Sequence, residues 1–488
     1  MKKIHLAFLP LAFAVSSCAD PTLAQNPGGG QISGGQNAGF SASERKIGAD
    51  AHPQLVQQFG GAMQGKAADY VRRVGQRIAG ESGMSARPQD YTVTLLDSSV
   101  NNAFALPGGY VYISRQLLAL MNNEAELAFV MGHEVGHVAA QHSQKRQNRS
   151  ALSGLGAAIL GAVTGSDIVG QLANTGAQLY TLGFSREQER QADSLGLRYL
   201  TQANYDPMAS GTTLASLGAQ TALEARLAGQ STQNVPGWLS THPANAERVA
   251  RIRKEAATFV GRAGARATNR DAFLDAIDGL PYDDNAQQGV IDGTRFRHPG
   301  LRMEFRAPTG FTLANSATAV TGTRGSARFQ FSGGQPQGQS LAAYSAKVWA
   351  SVGQQTAPQV QISRVNGIET ALSSVRTRSG RSEVDATLAV YRWSDDSWYQ
   401  MLMLTPAGQD AGYGQLVNSV RRLTPQEASA IRGHRVRVIR VQRGDTVQSL
   451  AARMDYSDDQ LARFTILNGI ETNTRLVPGS RVKIITRD

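Results

Sequence analysis

The sequence predicts an α+β protein in three folded parts. Three observations carry that prediction. Over residues 41–275 apolar residues recur mainly at helical spacing. From His298 to about Leu423 the pattern changes to β-rich runs, many of them alternating. After a connecting stretch at 425–433, residues 434–488 stand as a last, short module. At 488 residues the chain is too long for one ordinary domain, so two to four are expected.

The chain opens on Met1, Lys2 and Lys3, followed by an apolar run over 6–15 that is too short to cross a bilayer. Together they read as a secretory signal over 1–24. Val15-Ser16-Ser17-Cys18 resembles a bacterial lipobox, which makes Cys18 the expected lipidation site and gives the chain a membrane anchor. Simple cleavage after Ala24 is the competing reading. Ala19, rather than Asp, follows the cysteine, which by resemblance to enterobacterial sorting signals favours the outer membrane. Cys18 is the only cysteine, so no internal disulfide is expected despite an exported address. Residues 25–40 are rich in Gly, Gln and Asn and read as a flexible tether.

Next come a helix over 67–79, apolar at Val71, Val74 and Ile78, and a strand over 91–96. A hairpin-like pair follows over 104–113, turning at Pro107-Gly108-Gly109. A buried helix runs from Glu124 to about Ser143. Residues 143–184 pass from a basic patch (Lys145, Arg146, Arg149) into a Gly/Ala-rich apolar stretch. A buried helical hairpin, a mobile lid and a membrane-surface contact all fit it. Helices are expected over 185–201, 207–229 and 244–257, then a polar linker over 276–297. The small α+β domain, 298–424, should hold strands near 301–306, 318–323, 327–331, 383–393 and 398–404, with helices at 340–351 and 413–421. Its sequence names no chemistry.

The net charge of +11 is scattered rather than clustered, and no basic helix or reader motif is visible, so nucleic acid is not an expected partner. The chemistry concentrates at His133-Glu134-Val135-Gly136-His137. On a helix, histidines four residues apart share one face and reach one zinc ion, with Glu134 beside it to handle protons. A metal also gives polar groups on a buried helix their partners. Glu189 is the expected third ligand, with Glu187 a weaker alternative. Asp193, on the same helical face as Glu189, would hydrogen-bond a ligand histidine from outside. His142 has turned off the ligand face and reads as a structural group or one that supports a ligand from outside. With one zinc bound the chemistry is hydrolysis: Glu134 takes a water proton and passes it to the leaving amine. His242 and Arg248 are candidate catalytic groups for the oxyanion.

These residues resemble a known family. Residues 102–112 (NAFALPGGYVY), Glu126-Leu127-Ala128, the H-E-x-x-H, Ser185-Arg186, Glu189 to Asp193, and Thr241-His242-Pro243 with Arg248 look like the HtpX/BepA-type zinc metalloproteases, relatives of the CAAX prenyl endopeptidases. The resemblance spans about 41–253. It implies a mainly helical gluzincin domain over 41–275, with His133, His137 and Glu189 as ligands and Glu134 as base. It implies that Ala103, Phe104 and Ala105 pair with an extended substrate. It also implies that His242 can take the metal's fourth position at rest, with 143–184 as an active-site plug. Three departures stand out: no membrane span after the signal, no 34-residue repeat, and Gln116 where the family usually has glycine. The C-terminus, with Gly444-Asp445-Thr446, Leu467-Asn468-Gly469 and Pro478-Gly479, resembles a LysM domain, a β-α-α-β module that binds peptidoglycan-type glycans.

The expected protein is therefore an exported zinc endopeptidase, tethered to the outer membrane on its periplasmic side. It would cut misfolded or unassembled envelope polypeptides and touch cell wall. The rival expectations are a latent, chaperone-like assembly factor and a wall-binding lipoprotein.

Overall fold

Side-chain caps set where the helices begin. Ser41 accepts from the Glu44 amide while Glu44 reaches back to Ser41 N, and this capping box starts α1 (Ala42–Gln58). α2 (Lys66–Gly80) buries Val71, Val74 and Ile78 along one stripe. The computed structural model describes residues 39–143, 145, 183–232, 237–242, 246–260 and 266–487, apart from 86, 228, 230, 335, 337, 355, 380 and 381. The signal, Cys18, nearly all of the tether and residues 146–182 of the expected plug lie outside the described residues.

β1 (Thr92–Leu96), β2 (Ala103–Leu106) and β3 (Tyr110–Ser114) form a sheet in the order β1-β3-β2. β1 runs parallel and β2 antiparallel to β3, which leaves β2 at the edge. Gly108 and Gly109 turn the hairpin at φ of 84° and 87°. A Cβ on Gly108 would lie 2.6 Å from Glu44 O, so both backbone angle and space call for glycine.

Ser114 caps α3 (Arg115–Leu120), and Asn123 caps α4 (Glu124–Ala139). Every residue of α4 from Glu124 to His137 is buried. It packs on α2, on the sheet, and on α5 (Arg186–Gln202) and α6 (Ala209–Leu227). A Cβ at Gly196 of α5 would lie only 2.9 Å from His133 N. The two backbones touch there, which is what lets α5 present a ligand to the histidines of α4. The helical run suggested that α4 continues to about Ser143. It stops at Ala139, because Gln141 takes a left-handed φ of 54°. α7 (Trp238–Thr241), α8 (Ala246–Val260) and α9 (Arg270–Ile277) follow. His242 terminates α7 rather than opening α8.

The expected 276–297 linker is corrected by the structure. It holds β4 (Pro281–Tyr282), β5 (Val290–Asp292) and most of β6 (Arg295–His298). Strands this short, set among Asp, Asn and Gly, leave no period-two signal. The middle domain continues through β7 (Met303–Arg306), β8 (Thr312–Asn315), β9 (Ala319–Arg324), β10 (Ala327–Gly334), α10 (Leu341–Ser351), β11 (Gln361–Val365), β12 (Ile368–Ser379), β13 (Ser382–Arg392), β14 (Trp398–Pro406), α11 (Tyr413–Ser419), β15 (Arg421–Arg422) and α12 (Pro425–Ser429). One sheet has the order β11-β12-β13-β14-β10-β9-β8 and another β15-β7-β6-β5. Leu388, Val390, Leu402 and Leu404 of the larger sheet cluster with Trp349 of α10. Ala389, Tyr391, Met401 and Met403 cluster instead with Phe296, Met303 and Phe305 of the smaller sheet. Neighbouring strand residues thus serve two opposite layers.

The last module is β16 (His434–Arg440), α13 (Val447–Ala451), α14 (Gln460–Asn468) and β17 (Arg481–Arg487), in β-α-α-β order with its two strands antiparallel. It is not a free appendage. β4 pairs with β16. Val436, Leu450, Phe464 and Ile485 belong to the same buried apolar cluster as Val71, Leu117 and Leu127. Among the described residues no helix is long and apolar enough to cross a membrane.

Candidate metal centre

α4 and α5 bring the expected ligands together. Donor atoms of His133, His137, Glu189 and His242 all lie within 4.8 Å of one another, and all four residues are buried. The His133 and His137 Nε2 atoms are 3.0 Å apart. His242 Nδ1 lies 3.3 Å from His133 Nε2 and 3.0 Å from Glu189 Oε1. The two carboxylate oxygens of Glu189 are each 3.6 Å from one of the two Nε2 atoms. Three imidazoles and one carboxylate converging in the buried interior fit a zinc ion, whose common ligands are nitrogen and carboxylate oxygen. Burial pushes the His133 and His137 imidazoles below the ordinary histidine value, which favours the neutral, metal-binding form. Glu187, the weaker alternative, stands in the first turn of α5 and outside this group.

Asp193 sits behind His133, its Oδ1 3.1 Å from His133 Nδ1. A carboxylate at that distance favours the proton on Nδ1, which leaves Nε2 for the metal. Burial alone would raise the Asp193 pKa, but the hydrogen bonds from Arg248 and His133 hold it well below the usual carboxylate range. Arg248 is buried on the ligand side of the site. Nε and Nη2 each donate to Asp193 at 2.7 Å, while Nη1 lies 2.8 Å from Glu189 Oε2 and donates to the His242 carbonyl. These donors hold Asp193, Glu189 and the His242 backbone, an arrangement that organises the site. His142 places Nδ1 2.9 Å from His137 Nδ1 and binds Gln191 with its other nitrogen. The left-handed Gln141 just before it breaks the helix and changes where His142 points.

Two aromatic residues were not anticipated. Trp238 donates from Nε1 to Glu134 Oε1 at 2.7 Å and stacks on His242 with 4.7 Å between ring centroids. Phe184 stacks on His137 at 3.9 Å. Neither has a sequence signal of its own, since each reaches the site only by tertiary packing. Trp238 N also donates to Asn101 O at 2.6 Å, which ties α7 to the residues leading into β2. Ala103 and Phe104 are buried and Ala105 is half-buried on that edge strand.

Residues 66–256 match the model of peptidase family M48. Residues 66–256 are a peptidase family M48 domain. The M48 domain is similar to the mitochondrial metalloendopeptidase OMA1 of Schizosaccharomyces pombe, 31% identical over 214 residues, 43% of this chain and 60% of that one. It is similar to OMA1 of Arabidopsis thaliana, 33% identical over 190 residues, 38% of this chain and 36% of that one. It is also similar to the beta-barrel assembly-enhancing protease of Escherichia coli, 29% identical over 196 residues, 38% of each chain. The chain thus spans from about a third to three-fifths of the length of these relatives. M48 metalloproteases use zinc, the metal that the donor set of this domain fits.

Proposed function

We propose that the protein is an exported zinc endopeptidase and that the arrangement described here is its closed resting form. The observation that carries the reading is the convergence of His133, His137, Glu189 and His242 beside Glu134. Zinc bound there supplies a Lewis acid that acidifies a water molecule and polarises a peptide carbonyl. Glu134 accepts the water proton and delivers it to the leaving amine. Asp193 and Arg248 fix the ligand set. The β2 edge at Ala103, Phe104 and Ala105 pairs with an extended polypeptide through its backbone.

The resting form rests on burial. His133, Glu134, His137, Glu189 and His242 are each at most 4% exposed. Opening requires α7 to leave, which withdraws His242 from the metal and Trp238 from Glu134 together. This also gives the latent, chaperone-like reading its specific support. The address proposed is the periplasmic face of the outer membrane through a Cys18 lipid anchor. The proposed substrates are misfolded or unassembled envelope polypeptides, in keeping with the assembly-enhancing name of the Escherichia coli relative. The β-α-α-β order supports a LysM-like, peptidoglycan-binding end, with 441–446 and 470–480 as its largely exposed loops.

Full-length protein is expected to cleave casein, to lose that activity when zinc is stripped by a chelator, and to regain it on adding back one zinc per chain. Cleavage that survives zinc removal would reject the mechanism. Trp238→Phe keeps the ring and removes the donor to Glu134, and the casein rate is expected to rise severalfold. A fall in rate at equal zinc content would mean that Trp238 supports catalysis rather than closure.

A further inference from the structure

We infer that Lys483, supplied by the C-terminal module, is a positioning residue for the metal-ligand helix α4. The inference rests on the reading of α4 as the zinc-binding helix. Lys483 is fully buried. Its Nζ donates to Ala119 O at 2.7 Å, to Met121 O at 2.6 Å and to Leu120 O at 3.4 Å. An ammonium has three donors, and here all three meet the backbone carbonyls at the end of α3. Those carbonyls otherwise have no helical partner. Burial drives the Lys483 pKa well below the ordinary lysine value, and the negative charge of Glu126 opposes that.

The anchored carbonyls lead straight into α4. Asn122 N donates to Glu126 Oε2 at 2.7 Å, and Asn123 caps the helix by accepting from Glu126 N. Arg270 donates to Asn122 O at 2.6 Å and to Arg481 O at 3.1 Å, joining the same turn to β17. His133 stands nearly three turns beyond the Asn123 cap, about 15 Å along the axis. On the module side the Lys483 backbone is itself held. Asn468 Oδ1 accepts from Lys483 N at 2.7 Å, and Asn468 Nδ2 donates to Lys483 O at 2.9 Å.

The other end of α3 is gripped as well. Gln116 accepts from Asp283 N at 2.9 Å and donates to Asp283 Oδ1 at 3.3 Å. Arg115 donates to Asp283 O at 2.7 Å. Asp283 Oδ2 in turn faces His434 Nδ1 at 3.0 Å and accepts from Tyr456 of the module. Gln116 stands where a glycine was expected by family resemblance, and this contact gives it a use. α3 is thus held at both ends by residues tied to the module, and the first turn of α4 inherits its position from that hold.

A lysine that merely glued the module on would affect stability alone. A positioning lysine also sets how well His133 and His137 match Glu189, so metal affinity reports it. Lys483→Met is made in full-length protein, and zinc affinity is measured by competition with a fluorescent chelator well below the onset of unfolding. Circular dichroism confirms the fold, and casein kinetics run in parallel. The expected result is zinc binding weaker by severalfold or more, with Lys483→Arg recovering part of it. Unchanged zinc affinity in a folded Lys483→Met protein, with only a lower Tm, would overturn the inference. If Lys483→Met does not fold, Gln116→Gly loosens the other end of α3. Severalfold weaker zinc binding then supports the inference, and wild-type affinity overturns it. Zinc binding without casein cleavage in the parent protein would remove the peptidase reading and leave this measurement intact. No zinc in the parent would remove both.

Discussion

Glu134→Gln is expected to lower kcat for casein about 10²–10⁴-fold, the usual contribution of a positioned proton-transfer group, with KM and zinc content little changed. Glutamine keeps the shape and an oxygen acceptor for the Trp238 indole, so the packing around α7 survives. What it loses is the ability to take a proton. Glu134 is not among the four converging donors, so its loss should not release the metal. Burial pushes its pKa well above the ordinary glutamate value, while the Trp238 hydrogen bond and Arg248 oppose that. Departure of α7 exposes Glu134 to water and frees the Oε1 that the indole now occupies. Equal cleavage by parent and variant would take the base role from Glu134. Loss of zinc with the activity would make it a structural group.

The parts of the site that were legible in the sequence are those set by helical geometry. His133 with His137, and Glu189 with Asp193, are pairs four residues apart, and a helix stacks such pairs on one face whatever surrounds them. The strands over 383–393 and 398–404 were legible because burial on both faces makes much of each a near-continuous apolar run. The illegible parts depend on what lies across the fold. β12 has Ser, Thr and Arg at most positions after Leu372, and it forms because β13 supplies a ten-residue ladder. Lys483 lies in a strand between Val482 and Ile484, where alternation would send a lysine to solvent. It is buried because the M48 domain covers that side too. His142 was legible as a supporting group off the ligand face, but its contact with His137 depends on one left-handed residue, Gln141, with no glycine or proline to announce it. The 276–297 stretch looked like a linker because its strands are too short to show a period, and its pairing partner β16 lies more than 150 residues away.

Asp193→Ala is expected to cost about 3–5 kcal/mol of folding stability, the range for removing one partner of a buried ion pair. Zinc affinity is expected to fall about 10–100-fold as well. The carboxylate is wholly buried and is shared among His133 Nδ1, both Arg248 donors and Arg251 Nη2 at 3.1 Å. Removing it leaves the Arg248 guanidinium in the interior against Glu189, 2.8 Å away. Arg248 then competes with the metal for that ligand, so the two effects are coupled rather than additive. The Asp193→Ala, Arg248→Met double variant separates them. With the stranded cation gone, much of the stability should return, because an apolar side chain of similar length can fill the space. Zinc affinity should recover less, since His133 still lacks the group that fixes its tautomer. Stability is read from urea unfolding of zinc-free protein and affinity from chelator competition. If the double variant is as unstable as Asp193→Ala alone, the cost comes from the cavity and not from the stranded charge. If zinc affinity returns in full, Asp193 acts on the metal through Arg248 and Glu189 rather than through His133.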